Sequence, residues 1–348
     1  MANNKKLEDF LPEEDLEKYL SLTNKDAKRI FIQEAGKRHF PLMVYILGYR
    51  DTGMFHVKQM ENIADIKGVG DYSSRRLWLW SRGHFKTSLI SEAHSVWLIV
   101  NNPNIRILLT SFTISVAEKI LANIKGHFIN NSDFRYFYRE YCPQQNSVGK
   151  IEFGTMQYFT TPARFRNLKE PTMMVAGVGT NLTGLHYDYI KCDDLVTRDS
   201  VTNDTQIQTS KDYYSSLRQL FDNPSYPKED VIGTIYHFND LYCDLRKSRR
   251  MVESFVPICD AEGVINFSER FSEESLGQIM VDVGPYEYST QYMLNPVNPA
   301  DAKFRQEWIR KYDTFPSGLS EYIVCDPAST QKKKSDFTVI MRLGVDSE

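Results

Sequence analysis

Apolar residues recur along this chain with two periods, one typical of helices and one of strands. Up to about residue 50 they recur three and four residues apart among charged positions, which predicts amphipathic helices. After residue 75 an apolar run at 76–80 precedes a helix-like run at 87–100, and a second such pair follows at 105–111 and 114–129. Strands that alternate with helices predict a parallel α/β sheet.

The pattern becomes less regular after residue 150. It predicts a short hairpin around Phe153 and Gly154, and then a short apolar strand at 189–194 that ends in two carboxylates. The other elements that it predicts are a helix at 212–222, a strand from 230 that leads into a polar turn, a strand at 253–260, a capped helix at 271–284, and two β-branched runs that flank a Lys- and Ser-rich loop after residue 320.

Composition sets limits on the class of protein. The chain has 348 residues, enough for one to two domains, and is 41% hydrophobic and 25% charged, as soluble globular proteins are. It has no apolar stretch of membrane-spanning length and no apolar signal sequence at its start. The net charge of −3 argues against a generally basic nucleic-acid-binding protein but allows a local basic groove. Five cysteines without a C-x-x-C pair predict reduced, mostly buried thiols.

Residues 81–88, "SRGHFKTS", have the outline of a phosphate-binding loop between a strand and a helix. In the usual G-x-x-x-x-G-K-[ST] pattern, Lys86 would reach the β- and γ-phosphates and Thr87 would bind Mg²⁺. The two glycine positions of that pattern hold Trp80 and Phe85. The alternative is that this stretch only caps a helix. The candidate nucleotide-binding residues here are Ser81, Arg82, Gly83, His84, Phe85, Lys86, Thr87 and Ser88.

Two further strand ends complete the predicted site. Asp193 would hold Mg²⁺, and Asp194 stands where a carboxylate would activate water, although the usual residue there is Glu. Thr234 follows the next strand and would sense the γ-phosphate, with His237 and Asp240 just beyond it as coupling residues. The alternatives are two solvated turn carboxylates and an ordinary strand end.

The ordered set "SRGHFKTS", "GVGTNLTG…YIKCDD", "VIGTIYHFNDL", "FSEESL…YSTQYMLNPV" and "CDPAST…SDFTVI" resembles the large terminase subunits of tailed bacteriophages, over residues 55 to 345. The resemblance implies a P-loop NTPase of the ASCE/RecA-like class, an α/β fold with a mostly parallel sheet flanked by helices. The predicted organisation is an N-terminal helical region at 1–54, the ATPase core at 55–260, a lid or linker at 261–318, and the first strands of an RNase H-like nuclease at 319–348.

The family likeness also implies roles for single residues. Arg82 matches an Arg that terminases carry near the start of the loop and that acts, in parts of the family, as an arginine finger in cis on the γ-phosphate; the alternative is that Arg82 pairs with Asp193 or Asp194. The adenine pocket would lie upstream of the loop, where Phe55, His56 and Gln59 are the candidates; an ordinary surface helix turn is the alternative. Glycine usually precedes the loop Lys, so Phe85 departs from the family.

The last segment resembles the first strand of the terminase nuclease, with Asp326 as its first metal-binding carboxylate. The chain ends two strands into that domain, so the resemblance implies a truncated form that does not cut DNA. A second divalent site, for Mg²⁺ or Mn²⁺, would exist only in the intact nuclease.

The predicted function is therefore that of an ATPase, with Mg²⁺ and ATP, that packages viral double-stranded DNA into the procapsid. The resemblance implies the portal protein and the small terminase subunit as partners, a homo-oligomeric ring on the portal, a monomer in solution, and no membrane. It places the protein in the host bacterial cytoplasm and transiently on the procapsid. The alternatives are a helicase-like DNA translocase and a scaffold module without ATPase activity.

The candidate DNA-binding cluster consists of four basic residues, Arg246, Lys247, Arg249 and Arg250. Residues 332–334 are the next densest basic stretch. The alternative for the cluster at 246–250 is a solvated helix face.

Overall fold

The computed structural model of the chain describes residues 6–64, 75–296, 318–327 and 339–345. It divides into two units, Met1–Asn298 and Pro299–Glu348. The predicted boundaries at 54/55, 260/261 and 318/319 stay predictions. The helices are α1 (Glu13–Ser21), α2 (Lys25–Arg38), α3 (Phe40–Ile46), α4 (Met54–Ala64), a π-helical segment (Thr87–Ala93) that continues into α5 (His94–Asn101), α6 (Ile114–Ile129), α7 (Ser132–Phe137), α8 (Asp204–Leu217), α9 (Leu241–Ser248), α10 (Glu273–Val283) and α11 (Pro285–Gln291). The strands are β1 (Arg75–Trp80), β2 (Ile107–Ser111), β3 (Tyr158–Phe159), β4 (Met173–Gly177), β5 (Tyr189–Asp193), β6 (Glu229–Gly233), β7 (Val252–Val256), β8 (Ser320–Asp326) and β9 (Val339–Val345).

Seven strands form one sheet in the order β3-β4-β2-β5-β6-β1-β7. All neighbours are parallel except β3, which runs antiparallel to β4. Strand β6 separates β1 from β5, with Leu79 opposite Gly233 and Asp193 opposite Ile232. The carboxyl ends of β1, β5 and β6 therefore meet at one edge of the sheet. The predicted α/β fold, with a mostly parallel sheet flanked by helices, is confirmed; that it belongs to the P-loop NTPase class stays a prediction.

Both faces of the sheet are covered. Successive side chains of a strand point to opposite faces, and every residue of β1 is buried. Trp78 and Trp80 belong to a core that contains residues of the N-terminal helices and of α5 and α6. Leu77 and Leu79 point the other way, into a core with residues of α8 and α9. The predicted amphipathic helices before residue 50 are confirmed, and they pack on the face of the sheet from which Trp78 and Trp80 project.

Charged side chains lie buried between the central strands. Asp230 on β6 accepts hydrogen bonds from Arg76 Nε at 2.8 Å, Lys191 Nζ at 2.7 Å and Trp78 Nε1 at 2.8 Å. Burial alone would raise the pKa of Asp230, but Arg76 and Lys191 hold it well below its usual range. This carboxylate thus joins β1, β5 and β6 beneath the edge at which they end.

The predicted hairpin around Phe153 and Gly154 is wrong. The only described strand in this region, β3, pairs with β4 and not with the residues before Gly154. Gly154 takes a φ of +68°, and a Cβ there would lie 2.1 Å from the carbonyl oxygen of Tyr158. Phe153 and Phe159 instead pack against each other in the core, with ring centroids 4.7 Å apart. These two aromatic side chains thus pack in the core, and the segment does not form the paired strands that its apolar pattern predicted.

The capped helix is confirmed as α10. Ser272 and Ser275 form a capping box at its start, and Gly284 follows its end with a φ of +82°. No helix among the described residues is long and apolar enough to cross a membrane.

In the second unit, β8 and β9 form an antiparallel pair with Asp326 opposite Val339. The two β-branched runs predicted near the end of the chain are therefore strands. The basic residues 332–334 lie outside the described residues.

Candidate functional site

A loop at 81–86 leads from the end of β1 into the π-helical segment. Its backbone is tied to later parts of the unit, because Ser81 N donates to Val256 O at 2.9 Å and Arg82 N donates to Gln291 O at 2.9 Å. Gly83 takes a φ of +83°, and a Cβ there would lie 2.9 Å from the ring of Phe271. Free N–H groups at the start of a helix after such a loop are a ready binding site for an anion.

Phe85 also adopts the left-handed conformation, with a φ of +55°. The loop therefore needs a positive φ at the position before Lys86, where glycine would adopt it at low cost. A residue with a Cβ is destabilised by about 1–2 kcal/mol in this conformation. Phe85 therefore adopts, at a cost in stability, a backbone conformation that glycine would adopt easily.

Aromatic packing accounts for how Phe85 holds that conformation. Its ring centroid lies 5.8 Å from that of Phe267 and 5.6 Å from that of His56, and the Arg270 guanidinium lies 4.9 Å from it. The adjacent His84 is buried and stacks on Phe271 at 5.6 Å. The loop therefore packs against side chains of the segment between β7 and α10. Burial lowers the pKa of His84 to about 4, so its ring is neutral.

Lys86 and Thr87 face the two carboxylates at the end of β5. Lys86 Nζ lies 3.8 Å from an Asp194 carboxylate oxygen, and Thr87 Oγ1 donates to Asp193 Oδ1 at 3.1 Å. The other Asp193 oxygen accepts a hydrogen bond from Ser91 Oγ. Ser91 was not among the predicted site residues, although a hydroxyl four residues after Thr87, on the same face of a helix, was a usable signal. Ser88, also half-buried, is the second residue of the π-helical segment.

The two carboxylates differ in environment. Asp193 is buried, while Asp194 is half-buried and adopts a φ of +46°, a strained conformation of the kind that clusters at functional sites. Asp194 Oδ1 is buried and has no hydrogen-bond partner among the described residues. Burial and the negative charge of Asp194 raise the pKa of Asp193. A bound cation would favour the ionised form of both groups.

The donor set fits Mg²⁺ bound together with a nucleotide. Mg²⁺ is usually held by one or two carboxylates, phosphates and water rather than by an all-protein cage. A hydroxyl and a carboxylate, Thr87 and Asp193, are in contact here. Among the described residues no group of three or more His, Cys, Asp or Glu side chains could hold a metal ion, and Asp326 is part of no such group.

Arg82 does not pair with Asp193 or Asp194, so that alternative is wrong. Its guanidinium is exposed, and Nη1 donates to Gln291 Oε1 at 2.6 Å. Gln291 ends α11, far away in sequence, and no pattern in the chain predicted this contact.

Thr234 directly follows β6 and is buried at the same edge of the sheet as Asp193 and Asp194. Asp240 caps the start of α9 and serves local structure, because its carboxylate accepts hydrogen bonds from the N–H groups of Cys243, Tyr236 and His237. His237 accepts from Asn239 N at 3.2 Å. These coupling candidates thus form one ordered turn between β6 and α9.

The three adenine candidates lie on α4, beside the loop. Phe55 packs against Trp80 and His84, with centroids 5.3 Å and 5.5 Å away. His56 is buried; its Nδ1 accepts from Gly53 N at 3.0 Å and its Nε2 lies 3.1 Å from the His84 carbonyl oxygen. No ring nitrogen is left to read a base, which argues against that role for His56.

Gln59 is half-buried, and its Oε1 accepts a hydrogen bond from Ser254 Oγ at 3.2 Å. Phe55 and Gln59 remain candidates for the adenine pocket.

The basic cluster at 246–250 lies away from this site. Arg246 pairs with Glu253, and Lys247 lies 4.0 Å from Asp244. Arg249 and Arg250 are exposed and lie between α9 and β7, and β7 begins opposite Arg76 near the start of β1. The cluster therefore occupies the sheet edge opposite the loop.

No model of a known protein family matches this sequence, and none of the curated proteins does. Among solved structures, the chain is similar to the large terminase from a thermophilic bacteriophage in complex with ADP, at 12% identity and a TM-score of 0.42, over 83% of this chain and 65% of that one. For the same terminase in complex with ATP-gamma-S the identity is 11% and the TM-score 0.43, over 77% and 60%. The chain thus spans 60% to 65% of the length of these terminases.

Proposed function

We propose that this chain is a Mg²⁺-dependent ATPase whose reaction occurs at the carboxyl edge of the sheet. One observation carries the proposal: Lys86 and Thr87, at the start of a helix, face Asp194 and Asp193 at the end of β5. A cation and a hydroxyl opposite two carboxylates, beside free N–H groups, are what binding and hydrolysis of a metal-bound triphosphate require.

The role of each site residue in this proposal follows from its chemistry. Lys86 and the backbone N–H groups after it bind phosphate oxygens, and Thr87 and Asp193 hold the metal, which neutralises phosphate charge. Asp194 accepts a hydrogen bond or the proton from the attacking water. Arg82 stabilises charge that develops on the γ-phosphate, and Thr234 responds to that phosphate from the end of β6. Phe85 is no sign of a decayed site, because it adopts the conformation that glycine would.

The test is ATP turnover and nucleotide binding by the chain and its variants. Lys86→Ala should lose both binding and turnover, whereas Asp194→Asn should bind ATP and lose turnover by at least about a hundredfold. Lys119→Ala and Asp212→Asn, at exposed positions on α6 and α8, are matched controls and should hydrolyse ATP at the wild-type rate. Turnover within a few-fold of wild type in either site variant would refute the assignment.

We further propose that this hydrolysis drives double-stranded DNA, as in viral genome packaging. The support is the order and spacing of five motifs along the chain, each of which is modest alone. Procapsid docking, portal and small-subunit partners and a ring of subunits are parts of this wider proposal. If it is correct, double-stranded DNA stimulates ATP turnover; equal turnover with and without DNA would count against it.

A further inference from the structure

Helix α11 touches the loop that follows each of the three strands β1, β5 and β6. Gln291 bonds to Arg82 after β1, Glu287 Oε1 lies 3.1 Å from Arg198 Nη1 after β5, and Tyr286 OH donates to Tyr236 O at 3.0 Å after β6. One short helix thus contacts every loop that carries a proposed site residue.

The side chain of Gln291 is held in one orientation. It is buried, and its Nε2 donates to the carboxylate of Glu287 one turn earlier. Its Oε1 therefore faces the Arg82 guanidinium and accepts from Nη1 at 2.6 Å. The Gln291 carbonyl oxygen also accepts from Arg82 N, so α11 holds both the backbone and the side chain of the arginine.

The identity of the acceptor matters because Gln is uncharged. A guanidinium has five N–H donors, and the Gln291 amide uses one of them. Among residues 6–64 and 75–296, no other side chain accepts a hydrogen bond from Arg82 or forms an ion pair with it. A neutral acceptor orients the group and leaves its positive charge for an anion, whereas a carboxylate in the same place would neutralise it.

We propose that Gln291 is a positioning residue for catalysis: it holds the Arg82 guanidinium in a fixed, uncompensated state for the phosphate that is transferred. The inference rests on the proposed ATPase function. The guanidinium contributes most where charge develops in the transition state, so loss of Gln291 should lower kcat and leave KM nearly unchanged.

The experiment measures ATP kinetics for Gln291→Ala, Gln291→Glu, Arg82→Ala and the double variant Arg82→Ala/Gln291→Ala. Gln278→Ala is the matched control, because Gln278 donates to Asp282 one turn away on the neighbouring α10 without touching Arg82. We expect Gln291→Ala to lower kcat about tenfold or more, the size of a lost hydrogen bond to a charged group, with KM within about twofold.

Gln291→Glu, which keeps the shape but adds a charge, should also lower kcat. The double variant should be no slower than Arg82→Ala, since Gln291 acts through that arginine. Thermal melting identifies any variant that fails to fold, and the isosteric Glu variant then carries the test.

Two results would overturn the inference, and they separate it from the ATPase proposal. Wild-type kcat in Gln291→Ala, or a double variant whose loss is the product of the single losses, refutes the role of Gln291 while ATPase function stands. A wild-type chain that neither binds nor hydrolyses ATP overturns both.

Discussion

The left-handed backbone conformation at Phe85 predicts how glycine and alanine at this position will differ in stability. At most positions glycine is less stable than alanine, by about 0.5–1 kcal/mol, because it loses more conformational freedom on folding. At Phe85 the φ of +55° reverses this expectation. Phe85→Ala removes the ring and keeps the strain, whereas Phe85→Gly removes both.

The magnitudes follow from the contacts. A fully buried Phe costs about 3–5 kcal/mol when it is cut to Ala. Because the Phe85 ring is half-buried against Phe267, His56 and Arg270, we expect a loss of about 2 kcal/mol for Phe85→Ala. Relief of about 1–2 kcal/mol of left-handed strain, less the entropic cost of glycine, makes Phe85→Gly more stable than Phe85→Ala by about 1 kcal/mol.

The assay is urea unfolding of both variants, followed by the fluorescence of the buried Trp78 and Trp80. The exposed Lys119 on α6 is the control position, where the Ala variant should be more stable than the Gly variant by about 1 kcal/mol. If Phe85→Gly proves equal to or less stable than Phe85→Ala, the loop does not have a left-handed residue before Lys86.

Two further predictions concern charged residues. Asp230→Ala should destabilise the chain by about 3–5 kcal/mol in urea unfolding, because it leaves Arg76 and Lys191 buried without their carboxylate; a loss below about 1 kcal/mol would contradict this role. Replacing Arg249 and Arg250 together by Glu, on the edge opposite the loop, should leave the affinity for ATP within about twofold while weakening salt-dependent DNA binding. Unchanged stimulation of ATP turnover by DNA in that variant would remove these residues from the DNA-binding surface.

That the candidate site residues meet at one edge of the sheet was predictable, and the physical reason is topological. Lys86 and Thr87 follow one strand and Asp193 and Asp194 end another, and parallel strands bring such ends to one edge. The predicted hairpin near Gly154 failed because core packing of aromatic side chains overrode local alternation.

Other features depend on contacts between segments far apart in sequence. The conformation of Phe85 is stabilised by Phe267 and Arg270, and the orientation of Arg82 is set by Gln291. No local pattern in the chain predicts which loop residue each of these partners contacts. The same holds for His56, whose place beside the loop suggests base recognition although its ring nitrogens are already engaged in buried hydrogen bonds.

The loop at 81–86 and the start of the π-helical segment are proposed to bind the phosphates of ATP together with Mg²⁺. A crystal structure of the chain with a non-hydrolysable ATP analogue and Mg²⁺ tests this proposal most directly. We expect phosphates on Lys86 and the N–H groups that follow, a metal ion bound by Thr87 and Asp193, and Arg82 near the γ-phosphate while still bonded to Gln291. A nucleotide bound elsewhere, or a metal ion away from Thr87 and Asp193, would contradict it.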